Sequence, residues 1–172
     1  MKNKEEGFTL VELMGAIVIG AIIIAGVIAL INATRSSAKV STAHDEITQI
    51  ASAGQALYQY VRNDYTGITA AVVANSANIP DTLKTPKPPA KATGMINTFD
   101  QPVTITPVAK KQFKITYPLG TGAQQECIDL ATKLIGEFPI VAGGVGGNTV
   151  ITNAATAQTA CFALATITVT DE

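Results

Sequence analysis

The sequence is poor in the residues that most metal sites, catalytic triads and nucleic-acid binders use. It has no Trp, one His and two Cys, and only 15% of its 172 residues are charged. So few His and Cys leave little material for a zinc site or a His-based triad. Twelve basic residues against thirteen acidic ones give no excess for neutralising phosphates, which argues against nucleic-acid binding. A hydrophobic content of 47% argues against intrinsic disorder, and the length fits one domain.

One long stretch of the chain carries no charge at all. Residues 13–34 are 22 in number, and 17 of them are hydrophobic, mostly Ile, Ala and Val. As a helix rising about 1.5 Å per residue, this stretch spans roughly 33 Å, enough for the hydrocarbon core of a bilayer. It is longer than the apolar core of a secretory signal, and residues 31–34 are a poor cleavage site of that kind. A plain signal anchor remains open, and basic residues on both sides leave its orientation undecided.

Glu12 lies inside apolar sequence, because the apolar residues already begin at Phe8. Burying an unpaired carboxylate in hydrocarbon costs about 2.5 kcal/mol or more. Residues 13–34 contain no Lys, Arg or His that could compensate it. A new α-amino group would compensate it if the chain were cut just before Phe8. The alternative is that the Glu12 side chain reaches the membrane interface from its position near the helix end.

The segment Gly7-Phe8-Thr9-Leu10-Val11-Glu12 resembles the class III signal of type IV prepilins and pseudopilins. The resemblance implies that a prepilin peptidase cuts between Gly7 and Phe8 and then methylates the new N-terminus at Phe8. It also implies that residues 1–7 are a leader, and that Glu12 pairs with the N-terminal amine of a neighbouring subunit in a filament. The leader is less basic than usual, since Glu5 and Glu6 accompany its two lysines.

Apolar residues continue at spacings of three or four beyond the charge-free stretch, which predicts an amphipathic continuation of the helix. They are Val40, Ala43, Ile47, Ile50, Gly54, Leu57, Tyr58 and Val61. Polar residues, including Asp45 and Glu46, fill the other faces, and no Pro precedes Pro80. One helix is therefore expected over residues 8–62. The expected divisions are a leader at 1–7, a membrane and filament-core helix half at 8–34, an amphipathic half at 35–62 and a globular head at 63–172.

The head is predicted to combine short helices and strands. Thr69 is expected to cap a helix over residues 68–77, and Thr121 with Gln124 to form a capping box before a helix over 123–135. The pattern predicts strands over residues 103–106, 113–117, 149–152 and 162–170, and a Pro-rich loop over 85–91. The fold class is α+β, in which an antiparallel sheet packs on the long helix, as in the type IV pilin fold.

Cys127 and Cys161 enclose about 35 residues, and a lone Cys pair in an exported domain is most simply a disulfide. Two separate buried thiols are the alternative. The pair resembles the C-terminal disulfide loop of pilins, and its surroundings resemble the type IVb group. That likeness rests on residues 79–81, 97–99, 113–117, 126–127 and 137–139. The short leader and Phe8 are more usual in type IVa pilins.

Other polar groups are interpreted as solvated surface. His44 is the single His, and no converging partners for catalysis or metal binding are visible around it. Glu126 and Asp129 suit the first turns of a helix, and the Gly-rich residues 143–147 lack the ending of a P-loop. Lys110, Lys111 and Lys114 form a modest basic surface that could complement acids between subunits. We expect no enzymatic activity, no cofactor and no metal.

The resemblance implies a structural subunit, a type IVb-like major pilin, that polymerises into a type IV pilus for adhesion, aggregation, motility or DNA transfer. Its expected partners are copies of itself in a helical filament, the prepilin peptidase and methyltransferase, the inner-membrane assembly machinery, and membrane lipid before assembly. The precursor is expected in the inner membrane and the mature subunit in the extracellular pilus. Two alternatives are a pseudopilin of a type II-like secretion system and a signal-anchored periplasmic domain.

Overall fold

The computed structural model describes residues 10–60, 64–144, 149–161 and 165–171. The chain divides into two compact units, Met1–Ser37 and Ala38–Glu172. Helix α1, Leu10–Tyr60, extends through both. Its residues up to 31 are rich in Ile, Leu, Ala and Val, and every large hydrophobic side chain among them is exposed. Within the described residues, α1 is the one helix long and apolar enough to cross a membrane.

The part of α1 in the second unit buries an apolar stripe. Val40, Ala43, Ile47 and Ile50 are all less than 3% exposed. Their spacing of three and four residues places them on one face of the helix, which confirms the amphipathic pattern. Leu57 and Tyr58 are partly buried against the same core, and Val61 lies outside the described residues.

The second unit contains a seven-stranded sheet in which all described pairs are antiparallel. The strands are β1 Lys84–Thr85, β2 Gly94–Ile96, β3 Pro102–Ala109, β4 Gln112–Gly120, β5 Ile140–Gly143, β6 Thr149–Val150 and β7 Ala165–Asp171. They lie in the order β1-β2-β3-β4-β7-β5-β6. The central strand β4 alternates cleanly, with Phe113, Ile115, Tyr117 and Leu119 buried. The predicted α+β class with an antiparallel sheet is therefore confirmed.

Three short helices accompany the sheet: α2 Ala70–Ala74, α3 Gln124–Leu134 and α4 Ala154–Ala160. The Thr69 side chain accepts a hydrogen bond from the backbone N–H of Val72, as predicted for a cap. The predicted capping box at α3 is wrong, because Ala123 is the N-cap and no side chain caps the helix. Gly122 adopts a φ of 82°, a left-handed conformation that separates Thr121 from the start of the helix.

Several elements differ from the sequence-based prediction. Helix α4 was not predicted from the sequence, although Asn153 and Thr156 form a reciprocal capping box at its start. Strand β5 includes Gly143, which the sequence assigned to a loop. The predicted strand over 149–152 is shorter, and the one over 162–170 begins, within the described residues, at Ala165.

Candidate functional site

Glu12 lies in the first turn of the described part of α1. Its neighbours Val11 and Leu13 are 76% and 58% exposed, so the carboxylate is placed among exposed aliphatic side chains. A negative charge near a helix N-terminus is favoured by the helix dipole. Gly7 and Phe8 lie outside the described residues, so the cleavage site stays a sequence-based prediction.

The two cysteines form a disulfide, as predicted. Cys127 on α3 is joined to Cys161, the residue that ends α4, with their Cα atoms 5.8 Å apart. Both residues are almost fully buried, and Leu130, Ala131 and Leu134 on the same face of α3 are buried with Cys127. The bridge therefore closes a C-terminal region that contains β5, β6 and α4.

Glu46 makes a half-buried polar contact that the sequence reasoning missed. The hydroxyl of Tyr117 donates a hydrogen bond to the Glu46 carboxylate, and the backbone N–H of Thr98 donates another at 3.2 Å. Burial raises the pKa of Glu46, and the two hydrogen bonds partly oppose that rise. The pKa of Tyr117 is also raised, first by its own burial and then by the bond to Glu46.

A sequence signal for this contact exists in strand β4. Tyr117 is at a buried position of a strand that alternates, and a buried tyrosine hydroxyl needs a hydrogen-bond partner. The pattern does not identify the partner, which is 71 residues away in the chain. Assigning Glu46 wholly to the solvated face of α1 was wrong.

Asn97 organises the loop that contacts Glu46. Its side chain is almost fully buried and accepts hydrogen bonds from the backbone N–H groups of Phe99 and Gln101, both at 2.9 Å. The same side chain donates to the carbonyl of Pro118 at 2.6 Å. Asp100, in the middle of this loop, adopts a φ of 58°, a conformation that Asp tolerates better than most residues. The loop over residues 97–101 is thus held by hydrogen bonds to Glu46 on α1 and to Pro118 on β4.

His44 has carboxylate partners that the sequence did not reveal. Its Nε2 atom lies 2.9 Å from Oε2 of Glu137, and its Nδ1 atom lies 3.5 Å from Oδ1 of Asp45. Glu137 follows α3, so this contact joins α1 to the disulfide-closed region. Within the described ranges, no group of three or more His, Cys, Asp or Glu side chains is arranged to hold a metal ion.

The remaining polar groups that the sequence assigned to the surface lie on different elements of the fold. Asp129 accepts a hydrogen bond from the Gln125 side chain at 2.9 Å, on the exposed side of α3. Lys110 and Lys111 form the turn between β3 and β4, and Lys114 follows on β4.

Two family descriptions match the sequence. The prokaryotic N-terminal methylation motif matches residues 2–28, and the family described as PilS N terminal matches residues 37–172. A search among curated proteins found no match.

Solved structures with a similar fold are type IV pilins. The type IV b pilin from Salmonella typhi aligns with a TM-score of 0.50 and 14% identity, over 73% of this chain and 95% of that chain. The type IV pilin TcpA from Vibrio cholerae El Tor biotype aligns with a TM-score of 0.47 and 18% identity, over 78% of this chain and 99% of that chain. The long helix, the antiparallel sheet and the disulfide are thus arranged in a type IV pilin fold, and the chain belongs to the family described as PilS N terminal.

Proposed function

We propose that this chain is a structural subunit of a type IV pilus and has no enzymatic activity. The observation that carries the proposal is a methylation motif over residues 2–28 in front of a PilS-type domain. The same stretch covers most of the part of α1, up to residue 31, whose large hydrophobic side chains are all exposed. Fully burying one such side chain contributes about 1.5–3 kcal/mol of stabilising free energy, so these side chains favour an apolar environment. Lipid provides that environment in the precursor, and copies of the same helix provide it in the filament.

The proposed maturation follows the prepilin pattern. Residues 1–7 are removed by the prepilin peptidase, Phe8 becomes the methylated N-terminus, and the carboxylate of Glu12 pairs with the N-terminal amine of a neighbouring subunit. Residues 8–34 then form the filament core, residues 35–62 support the head, and residues 63–172 form the filament surface. The precursor resides in the inner membrane, where the assembly machinery extracts it into an extracellular pilus.

The likeness of the fold to the type IV b pilin from Salmonella typhi supports a type IVb-like subunit. The disulfide-closed region is a further argument for a pilin over a pseudopilin. A signal-anchored periplasmic domain would keep residues 1–7.

The decisive measurement is the intact mass and N-terminal sequence of the protein from cells that express the whole pilus system. The expected mature chain begins at a methylated Phe8. A Gly7→Val variant should remain uncut, because it replaces the glycine after which the proposed cleavage takes place. Gly94→Val is the matched control and should be processed normally, since a Cβ at Gly94 meets no atom within 4 Å. A wild-type chain that still begins at Met1 would contradict the proposal.

A further inference from the structure

The two ends of strand β4 present different chemistry. Before the strand, Lys110 and Lys111 form an exposed two-residue turn. After the strand, Gly120 and the following residues lead into α3. A strand of nine residues is roughly 30 Å long, so these two surfaces are well separated on one subunit.

The far end of β4 contains a polar pocket of about 290 Å³. Its charged lining groups are the carboxylates of Asp100 and Glu126 and the ammonium of Lys39. The Lys39 ammonium lies over the Phe99 ring, 5.7 Å from the ring centroid. Glu126 is in the first turn of α3, where a negative charge interacts favourably with the helix dipole. The pocket thus carries one net negative charge and has carboxylate acceptors, which favours a cationic donor as its occupant.

The wall of this pocket is held in place by the buried contacts described above. The side chain of Asn97 fixes the backbone N–H groups of Phe99 and Gln101, and Glu46 fixes that of Thr98. These donors are already used within the subunit, so the loop offers mainly the carboxylate of Asp100 to a partner. A wall that is fixed before binding loses little conformational entropy when a partner docks.

We propose that the Lys110–Lys111 turn of one subunit docks into this pocket of a second copy of the chain. A lysine ammonium is a pure donor, and the carboxylates of Asp100 and Glu126 are pure acceptors, so the two surfaces are complementary in charge and hydrogen bonding. The contact is head-to-tail, because the two surfaces lie at opposite ends of β4. A head-to-tail contact extends an assembly when its rotation does not close a ring. The inference rests on the proposed function in one respect, namely that copies of this chain assemble.

The first test is crosslinking between two co-expressed full-length variants, Lys111→Cys and Thr121→Cys. Thr121 lines the pocket, and both native cysteines are buried in their disulfide, so a short bis-maleimide reacts with the introduced thiols. A mixed dimer is expected from this pair. The matched control pairs Thr121→Cys with Lys91→Cys, another exposed lysine, and should give none. Absence of the mixed dimer, or its equal appearance in the control, would overturn the docking contact.

The second test reverses the charge of the turn in the full-length chain with Lys110→Glu and Lys111→Glu. The amount of assembled protein should fall about tenfold or more, which is about 1.4 kcal/mol of contact free energy. Lys87→Glu with Lys91→Glu makes the same charge change at other exposed lysines and should assemble normally. Normal assembly of the turn variant, or an equal loss in the control, refutes the proposed contact.

The two tests separate this contact from the function on which it rests. Filaments that form without the mixed crosslink would refute the docking contact while the pilus function stands. A mixed crosslink in cells that never form filaments would refute the pilus function while the docking contact stands. The melting temperature of each variant is measured beside these assays, and it should match that of the wild type because the substituted side chains are exposed.

Discussion

Helix α1 carries large aliphatic side chains in both of its halves, but only the second half buries them within the subunit. Ile17 and Ile23 in the first half are 63% and 60% exposed, whereas Ile47 and Ile50 in the second half are fully buried. The first half is apolar on all faces, and the second half is apolar on one stripe. A helix that is apolar all round is stable only where lipid or other apolar helices surround it. The difference therefore separates a segment that depends on other molecules from a segment that completes its own domain.

The largest effect is expected from Glu12→Ala in the first half. The variant should be processed and inserted in the membrane but should form no filaments, because the N-terminal amine of the neighbouring subunit loses its carboxylate. Electron microscopy of cells, with immunoblotting of the mature chain, measures both steps. Glu6→Ala is the control, since residue 6 would leave with the leader. Normal filaments from Glu12→Ala would show that the first half of α1 does not need this carboxylate for assembly.

Removal of the disulfide should have the next largest effect, and it should be confined to the second unit. Cys127→Ala with Cys161→Ala releases a loop of 34 residues, which in the chain-entropy account costs about 4 kcal/mol of unfolding free energy. Calorimetry of the full-length chain in detergent measures the loss, and the wild type under a reductant is the control. A melting temperature equal to that of the oxidised wild type would show that the closed region needs no covalent link.

Two glycines of α1 test the comparison directly. A Cβ at Gly54 would lie 2.7 Å from Cζ of Phe113, and a Cβ at Gly20 would meet no atom within 4 Å. Phe113 cannot move away easily, because it is fully buried with Tyr65 at 4.7 Å between ring centroids. Gly54→Ala should lower the unfolding free energy of the second unit by about 1–3 kcal/mol. Gly20→Ala should leave it unchanged in the same denaturation experiment, and an equal loss in both would contradict the assigned packing.

The smallest effect is expected from Glu46→Gln, and it depends on pH. Burial holds the folded-state pKa of Glu46 above its ordinary value of 4.5, so the folded state binds the proton more tightly than the unfolded state. The contribution of Glu46 to stability is therefore fully present below pH 4.5 and is lost as the pH rises through the raised pKa. The melting temperature of the wild type should fall relative to Glu46→Gln over that interval. A difference that stays constant with pH would show that the carboxylate titrates normally.

The sequence predicted the elements whose signals are local. The stripe from Val40 to Ile50, the alternation of β4 and the cap at Thr69 each depend on residues within a few positions of one another. Helix α4 was missed because its composition, rich in Ala and Thr with no large apolar residue, gives no periodic signal. The capping box predicted at α3 was wrong because Gly122, with a φ of 82°, lies between Thr121 and the N-cap residue Ala123.

The sequence by itself determined the charge-free stretch, the position of Glu12 inside apolar sequence and the Cys127–Cys161 pair as a candidate disulfide. Composition and spacing are enough for these features, because each follows from residue type and short-range order. Only the tertiary structure decided that Glu46 meets Tyr117 and that His44 meets Glu137. The strand order, in which β7 lies between β4 and β5, brings distant segments together, and no local pattern encodes such a pairing. The physical reason is that burial of a shared core selects these contacts, and that core exists only after α1 and the sheet have packed.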